Sequence, residues 1–301
     1  MPFELAHESM LTADYLAPFR LLVLADAAAL SGAQCAAIRE FVKSGGSVLA
    51  TFATSLFDET GGRRNDFGLA DLFGVSFAGR IDGPMRNSYL TLDLAPADGQ
   101  RHPVLDGFSD TTRIINGVFR VAVTPTRDAP SPVTLIPAYP DLPMEDVYPR
   151  TPRTNTRELY LHDNGRGRVA YFPWDVDRTF WDVLGVDHLR LLRNTIQWAL
   201  GEPPVVEVTG PGVLDVTAWR QRDSITVHLV NLTNPMMMKG PLREVIPVGP
   251  ERVRLRLPEG IRPTRVQLLT AGLTPPVDAS GGVLTVTVPS IDVHEVIAID
   301  V

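Results

Sequence analysis

The chain has 301 residues, 44% of them hydrophobic and 21% charged, with a formal charge of −7. That is enough chain for two globular domains, without the clustered Lys and Arg that a nucleic-acid partner needs. One cysteine, Cys35, excludes an internal disulfide, and no apolar run approaches the roughly 18 residues of a membrane-spanning helix.

In chain order, Pro2 to His7 reads as a strand and Leu11 to Pro18 as a short helical link. Arg20 to Ala25 (RLLVLA) is an apolar run without polar alternation, the pattern of a strand buried on both faces of a parallel sheet. Ser31 is the predicted N-cap of a helix whose apolar positions are Ala33, Ala36, Ala37, Ile38, Phe41 and Val42; Gly45 and Gly46 stop it. Cys35 falls on its apolar side, as a packed thiol. Ser47 to Thr51 (SVLAT) is the next buried strand. Such a strand-helix-strand unit directs ligand-binding loops to the carboxyl edge of its sheet, here Asp26 and the Thr51–Glu59 loop.

Phe67 to Phe73 reads as a short helix and Gly74 to Phe77 as a turn into extended chain. Strand-like alternation follows over Ser88–Leu94, Arg113–Val123 and Val133–Ala138. Asn116-Gly117 breaks the second of these as a tight turn or bulge. The stretch from about 84 to 160 is therefore a β-rich insertion. Residues 139–157 read as a lid, a binding loop or a disordered stretch. Glu158–His162 and Arg168–Pro173 are strands, Trp174–Phe180 a loop, and Val186–Leu200 an amphipathic helix with Leu189, Leu192, Ile196 and Leu200 on its apolar face. Gly201 caps it and Pro203-Pro204 breaks the chain. Beyond lie six short β-runs, Val213–Trp219, Ser224–Asn231, Val253–Leu257, Arg265–Leu269, Val283–Val288 and Val293–Asp300, the signature of an antiparallel sandwich. Met236–Met238 reads as a flexible contact loop.

The six histidines are scattered, with no H-x-x-x-H or H-E-x-x-H pair, so no metal is expected. The chain has no G-x-G-x-x-G and no G-x-x-x-x-G-K-[ST], so no nucleotide cofactor is expected either. The loop after SVLAT carries Thr54 and Ser55 but no G-x-S-x-G elbow, and these hydroxyls suit backbone bonding in the turn. Asp26, Asp58 and Asp175 are the candidate catalytic residues, since two carboxylates converging at one sheet edge are what glycoside hydrolysis requires. Ion pairs with Arg63, Arg64 and Arg178 at solvated loop ends account for the same residues, and that is the reading adopted. Tyr171–Trp181 (YFPWDVDRTFW) gathers rings, acids and an arginine. Thr54, Trp174, Asp177, Arg178 and Trp181 are accordingly the candidate ligand or interface residues, for carbohydrate or for a protein surface.

LLVLADAAALS, AAIREFVKSGGSVLATFATSLFDE, GRVAYFPWDVDRTFW and LLRNTIQWALG resemble the glutamine amidotransferase-like domain of large glycosidases, the β-galactosidase trimerisation domain. VHLVNLTNP and VPSIDVHEVIAID resemble the C-terminal β-sandwich of the same enzymes. The resemblance implies a flavodoxin-like α/β domain over 1–204 and a β-sandwich over 205–301. An active amidotransferase of this family has a cysteine near Phe52–Thr54 and a histidine after the strand ending at Pro173-Trp174; neither is here, so glutaminase chemistry is not expected. The glycosidase barrel is also missing from the sequence, and the amidotransferase-like domain normally opens with a strand and helix ahead of the segment that PFELAHESMLT resembles. The expectation is the C-terminal part of a longer glycosidase-like protein, or a shortened relative. It would be cytoplasmic and non-catalytic by itself, with a catalytic barrel or further copies of itself as partner, in a homo-oligomer. Its rivals are a stand-alone hydrolase using Asp26, Asp58 and Asp175, and a carbohydrate-binding module.

Overall fold

The computed structural model describes residues 2–301 except 129, 140–142, 144–150, 152 and 234–243. Most of the 139–157 loop and all of Met236–Met238 lie outside the described residues. The chain divides into two compact units: Ala6–Glu202, and Pro203–Val301 with the N-terminal residues up to Leu5.

In the first unit, α1 (Ala13–Leu16) leads into β1 (Leu21–Leu24), α2 (Gly32–Lys43) and β2 (Ser47–Thr51). Ser31 caps α2 through a reciprocal capping box. Its hydroxyl accepts from the Gln34 amide and the Gln34 side chain accepts from its own. Gly45, at φ 105°, turns the chain out of the helix. After α3 (Ala70–Phe73), closed by left-handed Gly74, the chain enters a β-rich region. It comprises β3 (Val75–Asp82), β4 (Tyr89–Leu92), β5 (Arg113–Ile115), β6 (Arg120–Pro125) and β7 (Val133–Ile136). β3 pairs with β6, and β4 lies between β5 and β7. The region therefore starts about ten residues before the expected insertion. Asn116-Gly117 joins no hairpin, because β5 and β6 belong to different sheets.

β8 (Tyr160–Asn164) and β9 (Gly167–Phe172) return the chain to the first sheet, whose order is β1-β2-β9-β8. β1, β2 and β9 are parallel and β8 is antiparallel, so the sheet is mixed. Alternate residues of β2 and β9 feed opposite layers. Val48, Ala50, Val169 and Tyr171 join the cluster holding Ile38 and Phe41 of α2. Leu49, Ala170 and Phe172 join the cluster holding Leu191 of α5 (Val186–Leu200). The sheet is thus the middle of three layers, which is why SVLAT and RVAYF have no polar alternation.

Four expectations need correction. β1 is an edge strand and Val23 is 47% exposed, so it is not buried on both faces. Pro2–His7 forms no strand. The expected loop after β9 contains a helix, α4 (Val176–Val183). α5 has the predicted limits, and Leu192 and Ile196 pack against the core as expected, but its most buried positions are His188, Leu191, Asn194, Thr195 and Ala199, and Leu189 is exposed. The hydrophobic count missed the deepest positions because polar residues with partners share them: the Asn194 amide donates to the Val104 and Asp106 carbonyls, and the Thr195 hydroxyl donates to the Leu191 carbonyl.

The second unit is a sandwich of two four-stranded antiparallel sheets. β10 (Val206–Thr209), β13 (Glu251–Arg256), β16 (Val283–Val288) and β15 (Val277–Ser280) form one, in that order. β11 (Leu214–Arg220), β12 (Ser224–Asn231), β17 (His294–Asp300) and β14 (Arg265–Leu268) form the other. Inward residues alternate along the central strands, as with Ile225, Val227 and Leu229 against Ile297 and Ile299. The two strands not anticipated, β10 and β15, are four-residue edge strands. β15 is exposed along its length and so carries no burial pattern to read. Among the described residues no helix is long and apolar enough to cross a membrane.

Candidate functional site

The carboxyl edge of β1, β2 and β9 is where the parallel strands direct their loops. β1 leads two residues on into Asp26, which holds a left-handed backbone at φ 46°, and β2 runs into Phe52 at φ 47° and Ser55 at φ 64°. Three non-glycine residues in that region within two adjacent loops store strain of order 1 kcal/mol each. Hydrogen bonds hold them there. The Asp26 amide donates to the Thr51 hydroxyl at 2.8 Å, the Ala53 amide to Asp26 Oδ1 at 3.2 Å, and the Tyr171 hydroxyl to the Phe52 carbonyl at 2.6 Å. Burial pushes the Asp26 carboxyl up to about 6, the Ala53 amide opposes this, and the charges of Asp177 and Asp175 add to the rise. A carboxyl in that range can exchange a proton near neutral pH.

The third loop follows β9. Asp175 is buried; its Oδ1 accepts from the Phe119 amide at 3.1 Å and its Oδ2 lies 2.7 Å from Arg178. Burial raises its carboxyl above the ordinary range, against the Phe119 amide and Arg178. Arg178 also stacks over the Phe119 ring, 5.0 Å from its centroid. Gly117 is required here, since a Cβ at that position would lie 2.1 Å from Asp175 Oδ1. This close approach, rather than a turn, is the function of the Asn-Gly pair. Asp26, Asp175, Asp177 and Arg178 therefore form one electrostatic group.

The remaining candidates are placed elsewhere or already occupied. Asp58 organises its own turn, accepting from the Thr60 hydroxyl and from the Thr60 and Gly62 amides. The Thr60 hydroxyl first, then those amides, lower its carboxyl. Asp58 is not among the charges that act on Asp26. Thr54 is fully buried, its hydroxyl donating to the Leu24 and Thr51 carbonyls. Trp174 is a core residue with its indole N–H on the Glu158 carbonyl, and offers no stacking face. Trp181, by contrast, is 63% exposed on α4. Among the described residues no three His, Cys, Asp or Glu side chains are grouped to hold a metal.

A second polar cluster escaped the sequence reading. Arg120, at the start of β6, bonds Glu158 Oε1 through Nε and Asp82 Oδ2 through Nη1, both at 2.8 Å. Glu158 is fully buried, and burial, opposed by Arg120, pushes its carboxyl up to about 7. Asp82 and Arg120 face each other across β3 and β6. The available signal was a charge at the head of each of two otherwise apolar runs, RVAV and ELYL, where burial demands a partner.

No protein-family model matches the chain, and no curated protein is similar to it. Solved structures are. An α-L-fucosidase isoenzyme 2 from Paenibacillus thiaminolyticus matches 94% of this chain at 18% identity, with a TM-score of 0.69. A β-galactosidase from Bacillus circulans sp. alkalophilus matches 94% at 13% identity and TM-score 0.59. One from Rahnella sp. R3 matches 94% at 14% identity and TM-score 0.55. This chain covers 41%, 33% and 32% of those chains respectively. At these identities the likeness is one of fold, and the α/β unit followed by a sandwich is the arrangement matched.

Proposed function

We propose that the chain is a non-catalytic accessory part of a glycoside hydrolase, associating subunits and supporting the active site of a catalytic barrel. The observation that carries this is coverage: nearly all of this chain matches about a third to two fifths of glycosidase structures. In this reading the first unit is the flavodoxin-like, glutamine amidotransferase-like domain, its elbow lacking a cysteine at Phe52–Thr54, and the protein works in the cytoplasm. The partner is the barrel or further copies of the chain. The exposed apolar residues Trp181, Val183 and Leu184 of the α4–α5 corner, with Val186 and Leu189 at the head of α5, suit such an association. The purified chain should leave aryl glycosides intact and show a mass that rises with concentration, and Trp181→Asp should lower that mass. A monomer at every concentration would sink the association reading.

A specific observation favours a second reading, a stand-alone hydrolase. Asp26, raised to about 6, lies close enough to Asp175 and Asp177 to feel both. Aryl-glycoside turnover that Asp26→Asn and Asp175→Asn abolish would establish it and overturn the accessory role.

A further inference from the structure

The sandwich carries a pair of side chains that the carboxyl edge of the first unit does not involve. His228 of β12 and His294 of β17 stand on the outer face of their sheet. The residues beside His228, Val227 and Leu229, belong to the core, as does Ile297, which pairs with Val227. Both histidines are half-buried. Their rings are nearly parallel, 13° apart with centroids 5.3 Å from each other, and His228 Nδ1 lies 3.2 Å from His294 Nε2. The register explains the meeting. His228 pairs with Val296 and His294 with Val230, so the two are diagonal neighbours across one antiparallel ladder. β12 and β17 are the inner strands of the sheet, each hydrogen-bonded along both edges. The Asn231 side-chain amide donates to the Ile291 and Asp292 carbonyls, which ties the approach to β17 against the end of β12. Backbone pairing therefore fixes both Cβ positions and leaves the rings only rotation.

Two imidazole nitrogens this close share either a proton or a cation. For a hydrogen bond, 3.2 Å is at the long limit. For a shared ion it is central: metal–nitrogen bonds of about 2.0–2.1 Å meeting at about 90–110° place the two nitrogens about 2.9–3.4 Å apart. Rotation about each Cβ–Cγ bond aims both lone pairs at one point on the solvent side. The surroundings accept positive charge. Thr217, Val230 and Val296 hold the positions paired with the histidines, and exposed Asp215 pairs with Val230 from β11 on the same face. Among the described residues no third His, Cys, Asp or Glu joins the pair, so solvent completes the coordination shell. Imidazole suits zinc, copper and nickel, whereas magnesium and calcium take oxygen ligands. We propose that His228 and His294 bind one divalent transition-metal ion of this borderline class, which clips β12 to β17. The motif spacings that predict no metal compare residues close in sequence, and these two are 66 residues apart.

The test titrates nickel, zinc and magnesium chlorides into the full chain, stripped of metal with EDTA and dialysed, by calorimetry at neutral pH. Imidazole resonances are followed by NMR during the zinc titration. Saturable binding of one nickel or zinc ion per chain is expected, with no heat from magnesium. The resonances of His228 and His294 should move while those of the other four histidines stay in place. Bound metal should also raise the melting temperature, because it favours the folded state. His228→Gln and His294→Gln should each weaken binding about tenfold or more, and His7→Gln, at an exposed position far along the chain, should leave it unchanged. In EDTA the two sandwich variants should melt close to the parent, since both rings stand on an outer face. No saturable binding of nickel or zinc to the folded chain would overturn the proposal. So would binding that survives both substitutions, or zinc-induced shifts confined to the other histidines.

Discussion

The two units solve burial in different ways. Among the described residues the sandwich buries only two charged or polar side chains, Glu251 and Glu295; every other one that is buried lies in Ala6–Glu202. Glu295 spends its carboxylate on the Thr270, Ala271 and Val296 amides, closing a loop. The sandwich is thus held by apolar alternation across two sheets, whereas the α/β unit is held partly by pairing groups that water would otherwise solvate. A unit built in the second way is sensitive to the loss of one partner, while a unit built in the first is sensitive to the loss of volume.

The sharpest break of this contrast is Arg120→Ala. It leaves Glu158 buried and unpaired, and should cost the α/β unit about 3–5 kcal/mol in urea unfolding. Replacing the pair together, Arg120→Met with Glu158→Leu, should recover most of that loss. The matching change in the sandwich, Ile297→Ala, removes volume from a fully buried position and should cost about 2–5 kcal/mol, with no second substitution of charge able to restore it. A double variant no more stable than Arg120→Ala would erase the distinction. Gly117→Ala comes next. Its Cβ would collide with Asp175 and the Trp174 ring, and about 1–3 kcal/mol of overpacking should appear as a lowered melting temperature. Ser31→Ala, removing one half of the α2 capping box, should cost about 1 kcal/mol.

The subtlest difference is in pH dependence, where the sign follows the kind of group: burial raises carboxyls in both units, Glu158 and Asp26 in one and Glu251 in the other, and lowers imidazoles. Glu158 and Asp26 have folded values above their unfolded ones, about 7 and about 6 against 4.5 and 3.8. The folded state holds the extra protons in those windows, so each group subtracts stability as pH rises through them. Glu158→Gln and Asp26→Asn should therefore flatten a falling contribution between about pH 4 and 7. His228 is lowered by burial and then by His294, whose Nε2 lies 3.2 Å from its Nδ1. There the unfolded state takes the proton first, so stability is lost as pH falls below the ordinary 6.5, and His228→Gln should remove that loss. His102 and His162, also lowered by burial, act in this second direction within the α/β unit. The comparison must accordingly be made variant by variant against the parent.

What could be read from the residues alone follows the same division. Apolar alternation located the central sandwich strands, because every second side chain there meets the opposite sheet. Ser31, Gly74 and Gly201 marked helix limits because backbone geometry at an end is a local matter. The buried face of α5, the role of Gly117 and the Arg120–Glu158 pair were not legible, since each depends on a partner 38 to 90 residues away. At the candidate site, Asp26 and Asp175 were grouped because loops after parallel strands share one edge, while Asp177 and Arg178 were singled out separately, from the aromatic and acidic stretch that holds them. Asp58 and Trp174 were assigned there by residue type, while the structure gives one to a turn and the other to the core.

The left-handed turn at Asp26 bears on engineering. Asparagine tolerates that backbone better than other side chains, would keep an acceptor for the Ala53 amide, and carries no charge to desolvate. On physical grounds the aspartate is the dearer of two near-isosteres, and Asp26→Asn should raise the melting temperature at neutral pH. The size of that rise measures what the fold gives up to keep an ionisable oxygen at its sheet edge, and so how strongly some task other than folding holds the residue in place.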